Sequence, residues 1–191
     1  METMTVLLVG VGGQGTILAG DILAKTALAA GLDVKISEIH GMSQRGGSVS
    51  TVVRFGDAVS TMVADRGCAD VIVAFEAVEA VRARQYLKHG GTLFVNDEQI
   101  VPVTVAIGAA SMPDDLEARL DDMNAVRVAA GAIAREEGSP KSTNVVLMGA
   151  LSTALPFDEA LWRDVIAQRV PPKTVDANLA AFAAGRQAVC A

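Results

Sequence analysis

The chain has 191 residues, 51% of them hydrophobic, and a formal net charge of −6. That length suits one domain with a full core, and the acidic balance, with no Lys/Arg cluster, argues against nucleic-acid binding, which needs grouped cations for phosphate contacts. No apolar run reaches the ~18 residues of a membrane span, and the opening METMTVLLVG enters a strand pattern without a signal-peptide layout, so a cytoplasmic protein outside the membrane is expected.

In chain order, residues 5–10 (TVLLVG) form a short apolar run that reads as a strand buried on both faces. Residues 17–30 carry apolar positions at helical spacing, with Gly31 as the stop. Residues 34–39 read as a second strand. SVSTVVRF, from Ser48, alternates apolar and polar residues, and Gly56–Asp57 would turn it back into AVSTMV. This predicts a β-hairpin around residues 48–63. Residues 70–75 are a third buried strand, followed by a helix over 76–88 closed by Gly90 and Gly91. Residues 92–96 and 103–108 read as further strands, and 114–122 as a short polar helix. Residues 125–130 fit a strand better than the start of the next helix. Helices follow over 132–137, from Ser142 with Ser/Thr capping, over 158–168 and over 173–189. Strands alternating with helices predict an α/β protein: a doubly wound, mostly parallel, Rossmann-like sheet, with the 48–63 hairpin as an insertion. No repeat or linker divides it, so one domain over 1–191 is expected.

Two loops carry more than connectors need. In GVGGQG, Gly10, Gly12 and Gly15 satisfy G-x-G-x-x-G between strand and helix. The glycines permit a tight turn, and the helix N-terminus offers free N–H groups to a phosphate. A dinucleotide site also needs an acid about 20 residues on. Asp33 precedes the second strand, and Glu38, near its end, is better placed. Three readings stay open: an NAD or FAD site, a tight crossing without ligand, and a site for another anion or for a partner's cofactor.

The second loop is HGMSQRGGSV, residues 40–49. Arg45 can fork onto a carboxylate or phosphate. Gly46 and Gly47 can expose consecutive N–H groups as an anion nest, and Ser43, Gln44 and Ser48 add neutral hydrogen-bonding groups. The loop falls at the C-terminal edge of the sheet beside Gly10–Gly15, where open α/β sheets place ligands. The two loops are expected to form one polar site, against the alternative of a solvated bend. Arg45 and His40 are the candidates for a catalytic role, although His40 lacks an Asp or Ser in a recognisable spacing. His89, Glu76, Glu79, Asp114 and Asp115 read as charges at helix ends. Cys68 and Cys190 lie far apart and form no metal or cluster spacing.

Together the two loops resemble one known family. VGVGGQGTILAGDILAKTALAAGLDVKISEIHGMSQRGGSVSTVVRFG is similar to the gamma-type subunits of 2-oxoacid:ferredoxin oxidoreductases, and E-x-HGMSQRGGSV to the branch that handles indolepyruvate, in which the resembling chain is the beta subunit. NVVLMGAL and KTVDANLAAFAAG resemble the family's closing segments. The resemblance implies oxidative decarboxylation of an aryl 2-oxoacid with CoA as cosubstrate, giving acyl-CoA, carbon dioxide and reduced ferredoxin. It implies thiamine diphosphate, Mg²⁺ and [4Fe–4S] clusters on a large alpha subunit, with no cofactor held by this chain alone and no activity in isolation. It further implies that Gly12, Gly13, Gln14 and Gly15, with Ser43, Gln44, Arg45 and Gly46, face the partner's thiamine site or the CoA path. The competing expectations are a stand-alone nucleotide- or flavin-binding protein and a non-catalytic module for CoA-like anions.

Overall fold

The structure, a computed structural model, describes residues 1–41, 47–101, 103–112 and 114–190. Its strands are β1 Met4–Val11, β2 Asp33–His40, β3 Ser48–Gly56, β4 Ala69–Ala74, β5 Leu87–Asn96 and β6 Val126–Val128. Its helices are α1 Thr16–Ala29, α2 Ala77–Ala83, α3 Val103–Ala106, α4 Leu116–Asp122, α5 Ala130–Glu136, α6 Thr143–Ser152, α7 Glu159–Arg169 and α8 Val175–Cys190. The strands join in one six-stranded sheet, β2-β3-β1-β4-β5-β6. The β1–β4, β4–β5 and β5–β6 pairs are parallel, whereas β3 runs antiparallel to both β1 and β2.

Side chains alternate across a strand, and both faces are apolar, as a parallel sheet requires. Val6, Leu8, Val53, Phe55 and Val73 pack on one face with α1, α6, α7 and α8. Leu7, Val9, Val52, Ile72 and Val95 pack on the other with α2 and α4. The doubly wound, mostly parallel architecture expected from the sequence is therefore present. Aromatics are few but concentrated. Phe55, Phe157, Trp162 and Phe182 follow one another with ring centroids 5.2, 6.1 and 6.0 Å apart. Each such contact adds about 0.5–1.5 kcal/mol beyond area burial, and the row ties β3 to α7 and α8.

Several elements differ from the sequence reading, each for a physical reason. The return partner of β3 is β2, not residues 58–63. Both edges of β3 are occupied, by β1 and β2, so the following segment has no ladder to join. It is pinned by side chains instead: Arg54 Nη1 donates to the carbonyls of Thr61 and Val63, both at 3.1 Å, and the Val59 N–H donates to Asp33 at 2.8 Å. The helix expected over 76–88 ends at Ala83, and a 3-10 turn over Arg84–Tyr86 leads into β5. Gly90, Gly91 and His89 thus lie in a strand. Gly90 has φ +78°, and a Cβ at Gly91 would stand 3.0 Å from the carbonyls of Ala69 and Asp70. The β4–β5 register shifts at this place, so the glycine pair bends a strand rather than stopping a helix. Residues 103–106 are a single helical turn rather than a strand, because β6 takes the place beside β5. At the start of α6, Ser142 does not cap through its hydroxyl, which donates to Asn178 Oδ1 at 2.9 Å.

Candidate functional site

The site is built where β1 and β4 end. α1 leaves β1 on one face of the sheet and α2 leaves β4 on the other, which opens the edge between them as ligand crevices open in doubly wound sheets. The two loops singled out in the sequence meet here. The Gly12 N–H donates to the Gly47 carbonyl at 2.9 Å, and the Gly41 N–H to the Ser48 carbonyl at 2.9 Å. Gly13 and Gly15 have φ +103° and +80°, a region that glycine enters freely. Gly15 caps α1, and its carbonyl accepts from Asn144 Nδ2 at 3.3 Å. Gly10 serves packing: a Cβ there would lie 2.6 Å from Gln14 Oε1 and 2.9 Å from Phe75 Cβ.

Gln14 turns its amide inward. Its Oε1 accepts from the Val11 N–H at 2.8 Å, and its Nε2 donates to the Phe75 carbonyl at 3.2 Å. Asn96 donates to the same carbonyl at 3.2 Å and to Glu98 at 3.0 Å, and accepts from the Ala130 N–H at 3.1 Å. Carboxamides of Gln14, Asn96 and Asn144 therefore stitch β1, β4, β5, α5 and α6 along the edge. Asn96 and Asn144 went unnoticed in the sequence. The only signal was a polar amide at the end of TLFVN and near the start of STNVVLMGAL.

Two buried carboxylates stand beside this row. Glu76 caps α2, accepting from the N–H groups of Val78 at 3.0 Å and Glu79 at 2.6 Å. The helix-end reading of Glu76 is thus realised, but the residue is only 2% exposed. Burial raises its carboxyl above the ordinary value; the two backbone donors and Arg82 oppose that shift, and neighbouring Glu79 adds to it. Glu79, 3% exposed, accepts from Ser48 Oγ at 2.6 Å and pairs with Arg82. Ser48 thereby couples the second loop to α2.

A raised carboxyl binds its proton more tightly in the folded than in the unfolded chain, so stability falls as pH rises upward from the unfolded value of 4.5. Glu76→Gln is expected to remove that slope, so the wild-type urea midpoint should fall relative to that of the variant from pH 4.5 towards neutrality. Parallel midpoints across the range would contradict this origin.

Ser43, Gln44, Arg45 and Gly46 lie outside the described residues, as does the His40 side chain; His40 closes β2 opposite Val49. Glu38 sits on β2, and β3 stands between that strand and β1. Two strand spacings, about 10 Å, separate them, whereas dinucleotide folds carry the ribose acid on the strand adjacent to β1. Asp33 is engaged elsewhere, accepting from Lys35 Nζ at 2.8 Å and from Val59; Lys35 and that backbone bond lower its carboxyl. Among the described residues no three His, Cys, Asp or Glu side chains group as metal ligands. Cys68 and Cys190 are free thiols, and burial pushes the Cys68 thiol up. No helix among the described residues is long and apolar enough to cross a membrane.

The fold is an α/β sheet whose glycine-rich first loop is bonded to the start of β3, with the carboxamides of Gln14, Asn96 and Asn144 holding that edge in place. The family model for pyruvate ferredoxin/flavodoxin oxidoreductase matches residues 5–188, and the chain belongs to that family. It is 44% identical to indolepyruvate oxidoreductase subunit IorB of Thermococcus kodakarensis, over 98% of this chain and 96% of that one. The fold matches the crystal structure of the gamma subunit of a keto/oxoacid ferredoxin oxidoreductase from Geobacter sulfurreducens, with TM-score 0.72, 24% identity and 98% of both chains covered. It also matches the 2-oxoglutarate:ferredoxin oxidoreductase of Magnetococcus marinus, solved with 2-oxoglutarate, coenzyme A and succinyl-CoA bound. There the TM-score is 0.75 at 21% identity, and all of this chain covers 31% of that one.

Proposed function

We propose that this chain is the small, gamma-type subunit of a thiamine-diphosphate-dependent 2-oxoacid:ferredoxin oxidoreductase acting on indolepyruvate or another aryl pyruvate. The observation that carries the reading is the match to IorB along almost the whole chain, which includes both edge loops. In the reaction the 2-oxoacid loses carbon dioxide, its acyl group passes to the CoA thiol, and the electron pair leaves to ferredoxin. Thiamine diphosphate, Mg²⁺ and [4Fe–4S] clusters supply the carbanion and electron chemistry from the large alpha subunit. This chain's described residues do not group as ligands for the metals.

Its own contribution is an edge of fixed shape. The Gly12–Gly47 bond joins the two loops and the Gln14 clamp ties the first of them to the end of β4, and a loop so placed can close a partner's site against water and supply donors to anions. Arg45 is the residue suited to a substrate carboxylate or a CoA phosphate. Arg45→Ala in the assembled enzyme is expected to raise the KM for CoA roughly ten- to a hundredfold, the scale of a lost charged hydrogen bond, with complex formation unchanged. An unaltered KM for CoA would remove Arg45 from the CoA path.

The experiment that tests the whole reading is co-expression with the large subunit. The pair should reduce ferredoxin in a reaction that needs both an aryl pyruvate and CoA, and neither chain alone should do so. Oxidation of a 2-oxoacid by the isolated chain would overturn it. So would saturable binding of NAD or FAD, the mark of a stand-alone nucleotide- or flavin-binding protein.

A further inference from the structure

Doubly wound sheets cover each strand with the helix that follows it, but β2 has none. The next element is β3, its antiparallel neighbour in the sheet. On the α2 side, the outer half of the sheet is therefore left without a helix. The irregular segment 57–65 covers it only in part. What remains is a groove of about 290 Å³, bounded by Ile39, Ser50 and Val52 on the strands and by Met62, Val63 and Tyr86 opposite. Ile39, Met62 and Val63 are 65%, 48% and 61% exposed, and grouped exposed apolar side chains of this kind mark interaction sites. The groove extends to Ser48 and Glu79, so it is continuous with the edge where the two loops meet.

Arginines stand beside the groove although the chain carries −6 overall. Arg82 lines the groove and is paired there with Glu79, so the unpaired charge lies just beyond the lining. The Gly67 N–H donates to the Gln85 carbonyl at 3.0 Å, which lays the turn carrying Arg66 against the turn carrying Arg84. Both arginines are exposed, and neither forms an ion pair among the described residues. Two unpaired arginines beside an apolar floor, each within two residues of the lining positions Ala64 and Tyr86, are complementary to an apolar segment flanked by carboxylates.

We infer that this groove docks a segment of the large partner subunit, apolar in its centre and flanked by Asp or Glu. The inference rests on the subunit reading above. It agrees with the occurrence of this fold as part of a longer chain in the Magnetococcus marinus enzyme, where further chain is covalently at hand to occupy such a face.

The test uses the two subunits purified separately and mixed. Val63→Glu and Ile39→Glu should each weaken the complex at least tenfold by calorimetry. Each isolated variant should melt like the wild type, since both side chains are exposed. The double variant Arg66→Glu/Arg84→Glu should weaken binding too and flatten its salt dependence. Ile107→Glu, 72% exposed and outside the groove, should bind like the wild type. Wild-type affinity in both apolar-face variants would overturn the inference. Wild-type affinity in the arginine variant alone would overturn its acidic part. A lone-chain dimer dissolved by Val63→Glu would assign the groove to a second copy instead. Failure of the wild-type chain to bind the large subunit at all would instead be a failure of the subunit reading, so the two are told apart.

Discussion

Gly149→Ala and Gly185→Ala are each expected to cost about 3 kcal/mol or more, at the upper end of overpacking penalties. α6 and α8 cross at these glycines. A Cβ on Gly149 would lie 2.1 Å from the Phe182 carbonyl oxygen and 3.0 Å from the Arg186 nitrogen. A Cβ on Gly185 would lie 2.0 Å from the Val146 carbonyl oxygen. Every one of these neighbours is backbone, so no rotamer change relieves the overlap and the helices must part. Parting them loosens Leu147, Met148 and Phe182, all fully buried, together with the stacking of Phe182 on Trp162. Gly131→Ala in α5 is the control. There the nearest atoms are the Arg135 guanidinium at 3.6 Å and the Glu98 carboxylate at 3.9 Å, so alanine fits and is expected to be neutral or to stabilise by up to about 1 kcal/mol. Urea midpoints at constant slope measure all three. A midpoint at or above wild type for Gly149→Ala would show that the crossing is not as close as this geometry requires.

The sequence revealed most where burial is uniform. β1 and β4 were legible because strands covered on both faces become unbroken apolar runs, and α1 because its apolar spacing and Gly31 agree. It revealed least where the outcome depends on which sheet edge is free. VTVA alternates as a strand does, yet β6 already occupies the slot beside β5. AVSTMV alternates too, yet β3 has no edge left. Gly90–Gly91 looks the same as a helix stop or as a strand bend until the Ala69 and Asp70 carbonyls are brought against it. The site divides the same way. Its glycines form local motifs that a sequence displays, and the structure joins Gly12 to Gly47 across the two loops. Asn144 reaches Gly15 across 129 positions, a partnership that no local spacing encodes. The inward turn of Gln14 was equally hidden, since its acceptor on Phe75 lies 61 residues away.

That inward turn makes Gln14 the residue on which the edge depends. Gln14→Ala is expected to lower the activity of the assembled enzyme on the order of 100-fold while destabilising the chain by only about 1–2 kcal/mol. The stability cost is small because a single donor, the Val11 N–H, loses its partner; the Phe75 carbonyl keeps its bond from Asn96. The activity cost is larger because Gln14 sits inside the Gly10–Gly15 loop and ties it to both β1 and β4. Without it, the loop keeps its bonds to Gly47 and Asn144 but loses its tie to the Phe75 carbonyl, and displacement of a site wall by about 1 Å is enough for a 10²-fold loss. Gln14→Glu sharpens the test. It retains the acceptor for Val11 but sets a carboxylate oxygen against the Phe75 carbonyl, so it should be at least as inactive as the alanine variant. Affinity for the large subunit should stay near wild type in both variants, with the loss appearing in kcat. Wild-type turnover in the Gln14→Ala complex would show that the loop holds its position without the clamp.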